Sequence, residues 1–260
     1  MSESITSTPE PEITVTIAMS SGLLFKQEQQ SNGPAFYFVK ALKDFNAIHK
    51  RQLFKVILIS DNPSLDFLSS KINDDKLEDL ITVLTVSEDQ LVKELQRNKT
   101  HLYLSDNRMV NVQEAVNEGI AAAVMFSTEK MSSLSGKTLD FAFDGVGVLF
   151  SNEQEQENDP TLMNEGPLKR FLEVLINLKT NHNCSITTYL VTRLGDDTSK
   201  ALKTLQTWDL KVDEAVFLQQ PENASTLERI RPHIFFAPYQ NKGVGWRMHQ
   251  WHAWCLSKNQ

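Results

Sequence analysis

The chain is expected to fold as an α/β protein in which parallel sheets are flanked by helices and one βα plan runs twice in tandem. Three observations predict this. Short apolar runs of strand length alternate with amphipathic stretches of helical length, the pattern of βαβ units. Several of those runs end in Ser, Thr or Asp, as strands do when they present side chains at the carboxyl edge of a parallel sheet. The succession then recurs: Gly33-Pro34 returns as Gly166-Pro167, and the runs behind each pair keep an offset of 132–133 residues.

The first copy opens with a strand over residues 13–19, followed by Ser20-Ser21-Gly22. Gly33-Pro34 then starts a helix through Phe38-Val39-Lys40-Ala41-Leu42, with proline at the helix position that tolerates it best. Residues 55–59 form a strand ending at Ser60, and residues 101–104 one ending at Ser105-Asp106. The Ala-rich stretch 110–123 has apolar residues at helical spacing and is expected to be a helix. The second copy opens with a strand over 139–143, ending at Asp144 and a Gly turn. Its helix runs through Phe171-Leu172-Glu173-Val174-Leu175, and its next strand, 187–191, ends at Thr192. Leu202, Leu205 and Trp208 mark another helix, 215–218 a strand, and 233–236 a strand reaching Ala237-Pro238. The resulting division is a disordered lead-in at 1–12, a first half at 13–130, a second half at 139–240 and a divergent aromatic tail at 241–260. The polar, acidic stretch between Ser151 and Glu165 has no periodicity and is expected to be a loop, in the position of a lid.

Composition narrows the function. A net charge of −7 argues against a nucleic-acid binder or a binder of anionic membranes, since each needs a basic face. No apolar run approaches the roughly 18 residues of a membrane span. The first 12 residues are rich in Ser, Thr, Pro and Glu and lack the apolar segment of a secretory signal. Two cysteines, Cys184 and Cys255, make neither a disulfide framework nor a metal-binding pair, which points to a reduced, cytoplasmic setting.

Chemistry concentrates at Phe141-Ala142-Phe143-Asp144-Gly145-Val146-Gly147-Val148-Leu149-Phe150. A carboxylate at the end of a buried strand, released by a tight Gly turn, is where an α/β protein presents a nucleophile. Other runs accompany it in order: Gly33-Pro34-Ala35-Phe36, His101-Leu102-Tyr103-Leu104-Ser105, Glu118-Gly119-Ile120-Ala121-Ala122-Ala123, Thr188-Tyr189-Leu190-Val191-Thr192 and Arg231-Pro232-His233-Ile234-Phe235-Phe236. Together, over roughly residues 13–236, they resemble the cytosolic 5′-nucleotidase I family, a branch of the haloacid-dehalogenase-like phosphatases. The resemblance implies a Rossmann-like fold of the haloacid-dehalogenase type and Mg²⁺-dependent hydrolysis of nucleoside 5′-monophosphates through an aspartyl-phosphate. By position, Asp144 matches the nucleophile and Thr192 the hydroxyl that holds the phosphoryl group, with Gly145 and Arg193 beside them as substrate-binding positions. Asp144 is also the implied metal ligand.

The pattern is incomplete. Val146 stands where the family carries the acidic residue that acts as general acid. Ala237 and Pro238 stand where paired acidic residues hold the metal, and no Lys lies near Pro221-Glu222-Asn223, where the family has one. Attack of a carboxylate on a phosphate dianion needs a cation to offset the repulsion. Loss of the general acid alone costs about 10²–10⁴-fold in rate. The chain is therefore expected to be catalytically weak or inactive, binding a nucleotide or a protein, alone or in a homo- or hetero-oligomer with an active relative. The alternative is an active 5′-nucleotidase whose missing groups come from Asp196, Asp197, Lys200 or Lys203. Asp196-Asp197 beside Thr198 also reads as a helix cap. Asp61 and Asp106 lie at strand ends of the first copy, but Ser20-Ser21 occupies the nucleophile's place there, so the same chemistry is not expected. His233 is expected to be structural. His249 and His252 are too few for a zinc site, and the tail's Trp246, Trp251 and Trp254 suit packing or a partner contact.

Overall fold

The computed structural model describes residues 13–26, 28–29, 31–61, 65–106, 109–126, 135–151, 159–195, 197–218, 229–238 and 252–255. The lead-in at 1–12, the centre of the acidic loop, Asp196, Pro221-Glu222-Asn223, Trp246, His249 and Trp251 lie outside them.

In the first half the strands are β1 (Val15–Ser20), β2 (Phe25–Lys26), β3 (Ser31–Asn32), β4 (Phe54–Ser60), β5 (Ile81–Thr85), β6 (Leu102–Ser105) and β7 (Ala122–Phe126). The helices between them are α1 (Ser21–Leu24), α2 (Phe36–His49), α3 (Asp66–Asp74), α4 (Leu91–Arg97) and α5 (Met109–Asn117). The second half has β8 (Leu139–Asp144), α6 (Lys169–His182), β9 (Ile186–Arg193), α7 (Asp197–Thr207), β10 (Glu214–Leu218), β11 (Ile234–Pro238) and β12 (His252–Cys255). Apart from the small β2-β3 ribbon, ten strands form one sheet in the order β10-β9-β8-β11-β12-β7-β6-β1-β4-β5. Read outward from its centre, each half gives the same order, and the β12–β7 pair at the seam is antiparallel while the other neighbours are parallel. The fold is thus α/β, with a five-stranded parallel unit and its counterpart related by an approximate two-fold axis.

Equivalent details recur across that axis. His101 accepts a hydrogen bond at Nδ1 from the Thr16 amide (3.0 Å), and His233 accepts one at Nδ1 from the Asp140 amide (3.0 Å). Each histidine thereby ties the start of one strand to the first strand of its unit. The Nε2 of His233 lies 2.9 Å from the Ser135 carbonyl, so the ring is held on both sides. Burial holds the pKa of His101 below its usual value. Gly33 and Gly166 share a role as well: their amides bond Leu24 and Leu149 carbonyls, and a Cβ on either would lie 2.3–2.4 Å from a backbone oxygen of the preceding turn. Only glycine fits so close an approach. Both helices that follow are 14 residues long and end in a left-handed residue, Lys50 or Asn183.

The two halves share a core. Phe141 on β8 lies against Phe38 of α2 (6.2 Å between centroids), Phe54 of β4 (6.5 Å) and Phe171 of α6 (5.9 Å). Phe143 stacks on Phe236 of β11 at 5.1 Å.

Two elements differ from expectation. The Ala-rich stretch does not stay helical: α5 stops at Asn117, Gly119 adopts φ +78°, and Ala122 and Ala123 pair with β6 in β7. A left-handed glycine ends the helix, and burial between neighbours overrides alanine's helical preference. In addition, residues 252–255, inside the segment set apart as a tail, are a strand of the main sheet, between β11 and β7.

Candidate functional site

The carboxyl ends of β8, β9 and β11 frame the site. Asp144 ends β8, and its carboxyl faces the turn that the next residues make. The Leu149 and Phe150 amides both bond the Gly145 carbonyl at 3.0 Å, and Gly147 takes φ +85°. Gly145 is required by contact: a Cβ there would lie 2.7 Å from Thr192 Oγ1. The strand ends of β8 and β9 are therefore pressed together, with Asp144 paired in register to Val191 and Thr192 one residue beyond.

Thr192 is 8 % exposed, and its hydroxyl has no hydrogen-bond partner among the described residues. An unpartnered hydroxyl at the strand end next to that of Asp144 is a ready donor to an anionic oxygen. The Asp144 carboxyl is pushed up from 3.8 to about 7, by burial first, against the pull of the Gly145 amide and the Arg193 guanidinium. At neutral pH it is therefore only partly ionised.

The remaining positions hold no replacement acids. Val146 lies in the turn and bridges to Phe150. Ala237 is fully buried in an apolar cluster with Ala142, Val191, Leu218 and Phe235, and Pro238 is buried beside it. Among the described residues, no group of three or more His, Cys, Asp or Glu is arranged to hold a metal. Mg²⁺ binds through oxygen ligands, commonly one or two carboxylates besides waters and phosphate. Among the described residues the site offers one carboxylate, Asp144, with Ala237 and Pro238 across from it, which does not make up such a set. Of the alternative groups, Lys203 is engaged by Asp159 (4.0 Å) and by the Thr161 hydroxyl. Asp196 and the side chain of Asp197 lie outside what the structure describes, while Thr198 closes the turn by accepting from the Gly195 amide and donating to the Arg193 carbonyl. Among the described residues, no helix is long and apolar enough to cross a membrane.

The raised pKa of Asp144 gives a stability prediction with a definite sign. The folded-state pKa lies above the unfolded value, so between about 4 and 7 the folded form holds the extra proton, and stability is lost as pH rises through that window. Asp144→Asn, which is never charged, is expected to match the parent at pH 4 and to exceed it by about 2 kcal/mol at pH 8. Thermal melts of both proteins across that range check this, and parallel pH curves would refute it.

The fold is an α/β protein of two parallel units, and the second gathers an aspartate, a glycine and a threonine at its strand ends. A family model described as 5′-nucleotidase matches residues 24–243. Over 287 aligned residues the chain is 34 % identical to human cytosolic 5′-nucleotidase 1B, covering 88 % of this chain and 46 % of that protein. This chain belongs to the 5′-nucleotidase family, within its cytosolic type I branch. It spans about half the length of the curated relative it matches. Among solved structures it is similar to a dTDP-glucose 4,6-dehydratase from Bacillus anthracis in complex with NAD, with a TM-score of 0.29 and 9 % identity over 70 % of this chain and 56 % of that one. At that score the likeness carries no argument.

Proposed function

We propose that this chain is a cytosolic, nucleoside-monophosphate-binding member of its family in which phosphoester hydrolysis is weak or lost. The observation that carries the reading is the surround of Asp144. Its partner positions are Val146, Ala237 and Pro238, so among the described residues neither a proton donor for the leaving alkoxide nor a set of carboxylates for a metal cation stands beside it. What remains favours binding. The free Thr192 hydroxyl, the Gly145 turn and the Arg193 charge are suited to a phosphate, and an Asp144 that is partly neutral at pH 7 repels that phosphate less than a full carboxylate would.

Calorimetric titration with AMP and IMP, run beside a phosphate-release assay with and without Mg²⁺, tests this. Binding that weakens on Thr192→Val, with release no higher than in Asp144→Asn, is the expected result. Mg²⁺-dependent release abolished by Asp144→Asn would overturn it and establish an active 5′-nucleotidase.

A further inference from the structure

The first half carries a cleft at the matching place. It is an open cleft of about 50 Å³ at the carboxyl ends of β1, β4 and β6, where the chain leaves β1 toward one side of the sheet and β6 toward the other. Such a crevice is where open α/β sheets bind ligands. Its chemistry is unlike that of the second half. Three acidic residues line it, Asp61, Glu88 and Asp106, and among the described residues lining it there is no Lys, Arg or His. The Asp106 carboxylate, which has no partner among the described residues, disfavours an anion beside it. No metal-holding group of acids is present among the described residues either.

Two side chains point to a ligand with hydroxyls. Asn111, on α5, is 7 % exposed and lines the cleft, its amide open to the cleft and without a hydrogen-bond partner among the described residues. Asp106 is likewise without a described partner, and its Oδ2 sits so close over Gly22 that a Cβ there would be 2.6 Å away. The amide both donates and accepts, and the carboxylate accepts. A pair of adjacent hydroxyls matches that set. Ile59, Val86, Leu91 and Tyr103 supply an apolar wall for the C–H face of a ring.

We propose that this cleft is a second binding site, separate from Asp144 and Thr192, that takes an uncharged sugar ring with vicinal hydroxyls, the class to which a ribonucleoside belongs. The hydroxyls donate to Asp106 and exchange hydrogen bonds with Asn111. The proposal stands independently of the reading of the second half, because it uses no residue of that site.

Calorimetric titration of the full chain with adenosine, and separately with ribose, tests it on the parent, Asp106→Ala, Asn111→Ala and Thr192→Val. Adenosine affinity is expected to fall about ten-fold or more in each first-half variant, and an affinity unchanged in both would overturn the proposal. Unliganded melting temperatures identify any variant that fails to fold. Asp106 is exposed, so its alanine variant keeps the test open if Asn111→Ala unfolds. Loss of binding on Thr192→Val with retention on Asp106→Ala would place the sugar at the second-half site and overturn the proposal. So would no binding by the parent, or calcium binding that Asp106→Ala abolishes while adenosine binding is unaffected.

Discussion

The triple variant Val146→Asp, Ala237→Asp, Pro238→Asp is expected to gain Mg²⁺-dependent phosphate release from AMP, by about 10²-fold or more over the parent. The reasoning runs from the frame that remains. Asp144, the Gly145 turn and the Thr192 hydroxyl are held together by strand register and by a contact that admits no side chain at position 145. What is absent is a proton donor and acidic oxygens for a cation. The substitutions have a cost that serves as an internal control. Ala237 is fully buried in an apolar cluster, so an aspartate there without a cation is expected to lower stability by several kcal/mol. Millimolar Mg²⁺ should restore much of it, since a ligand that binds the folded state stabilises it by mass action. A folded triple variant that is stabilised by Mg²⁺ and releases no phosphate would show that the frame itself has lost its geometry.

Phe141→Ala is expected to be the most damaging single core substitution, lowering stability by about 3–5 kcal/mol and the melting temperature by about 10 °C. Phe141 is fully buried and meets three other phenylalanines, two from the first half and one from the second. The cavity therefore opens where the two units join, and neither can collapse into it without moving the other. A melting temperature within about 2 °C of the parent would show that the units rest on other contacts.

The repeat was legible because it is written in residues with few alternatives. Gly33-Pro34 and Gly166-Pro167 mark equivalent close approaches of backbone, and the 132-residue step from His101 to His233 marks equivalent ties between strands. Asp144 and Thr192 were legible as strand-end polar residues after apolar runs. β7 was harder to see: Ala121-Ala122-Ala123 has no β-branched residue, and only the turn at Gly119 separates it from α5. β12 was hidden because four residues within an aromatic segment show no alternation, and their strand state comes from neighbours on both sides. The cleft of the first half was visible only as scattered Asp61 and Asp106. Asn111, inside a helix, gave no signal in sequence, because its interest lies in where the fold places it, lining the cleft.

The seam between β12 and β7 has a consequence for how the protein came to differ between its halves. Each unit meets the other through the same edge strand, running antiparallel, as two copies of one subunit meet in an isologous dimer. Linking the copies in one polypeptide covers an edge that a lone copy would leave open to pairing with other chains. It also breaks the identity that a true dimer imposes, in which every substitution appears on both sides of the axis. Once joined, one unit was free to keep an aspartate after its first strand and the other to hold Ser20, so a single chain can present two chemically unlike surfaces on one inherited scaffold.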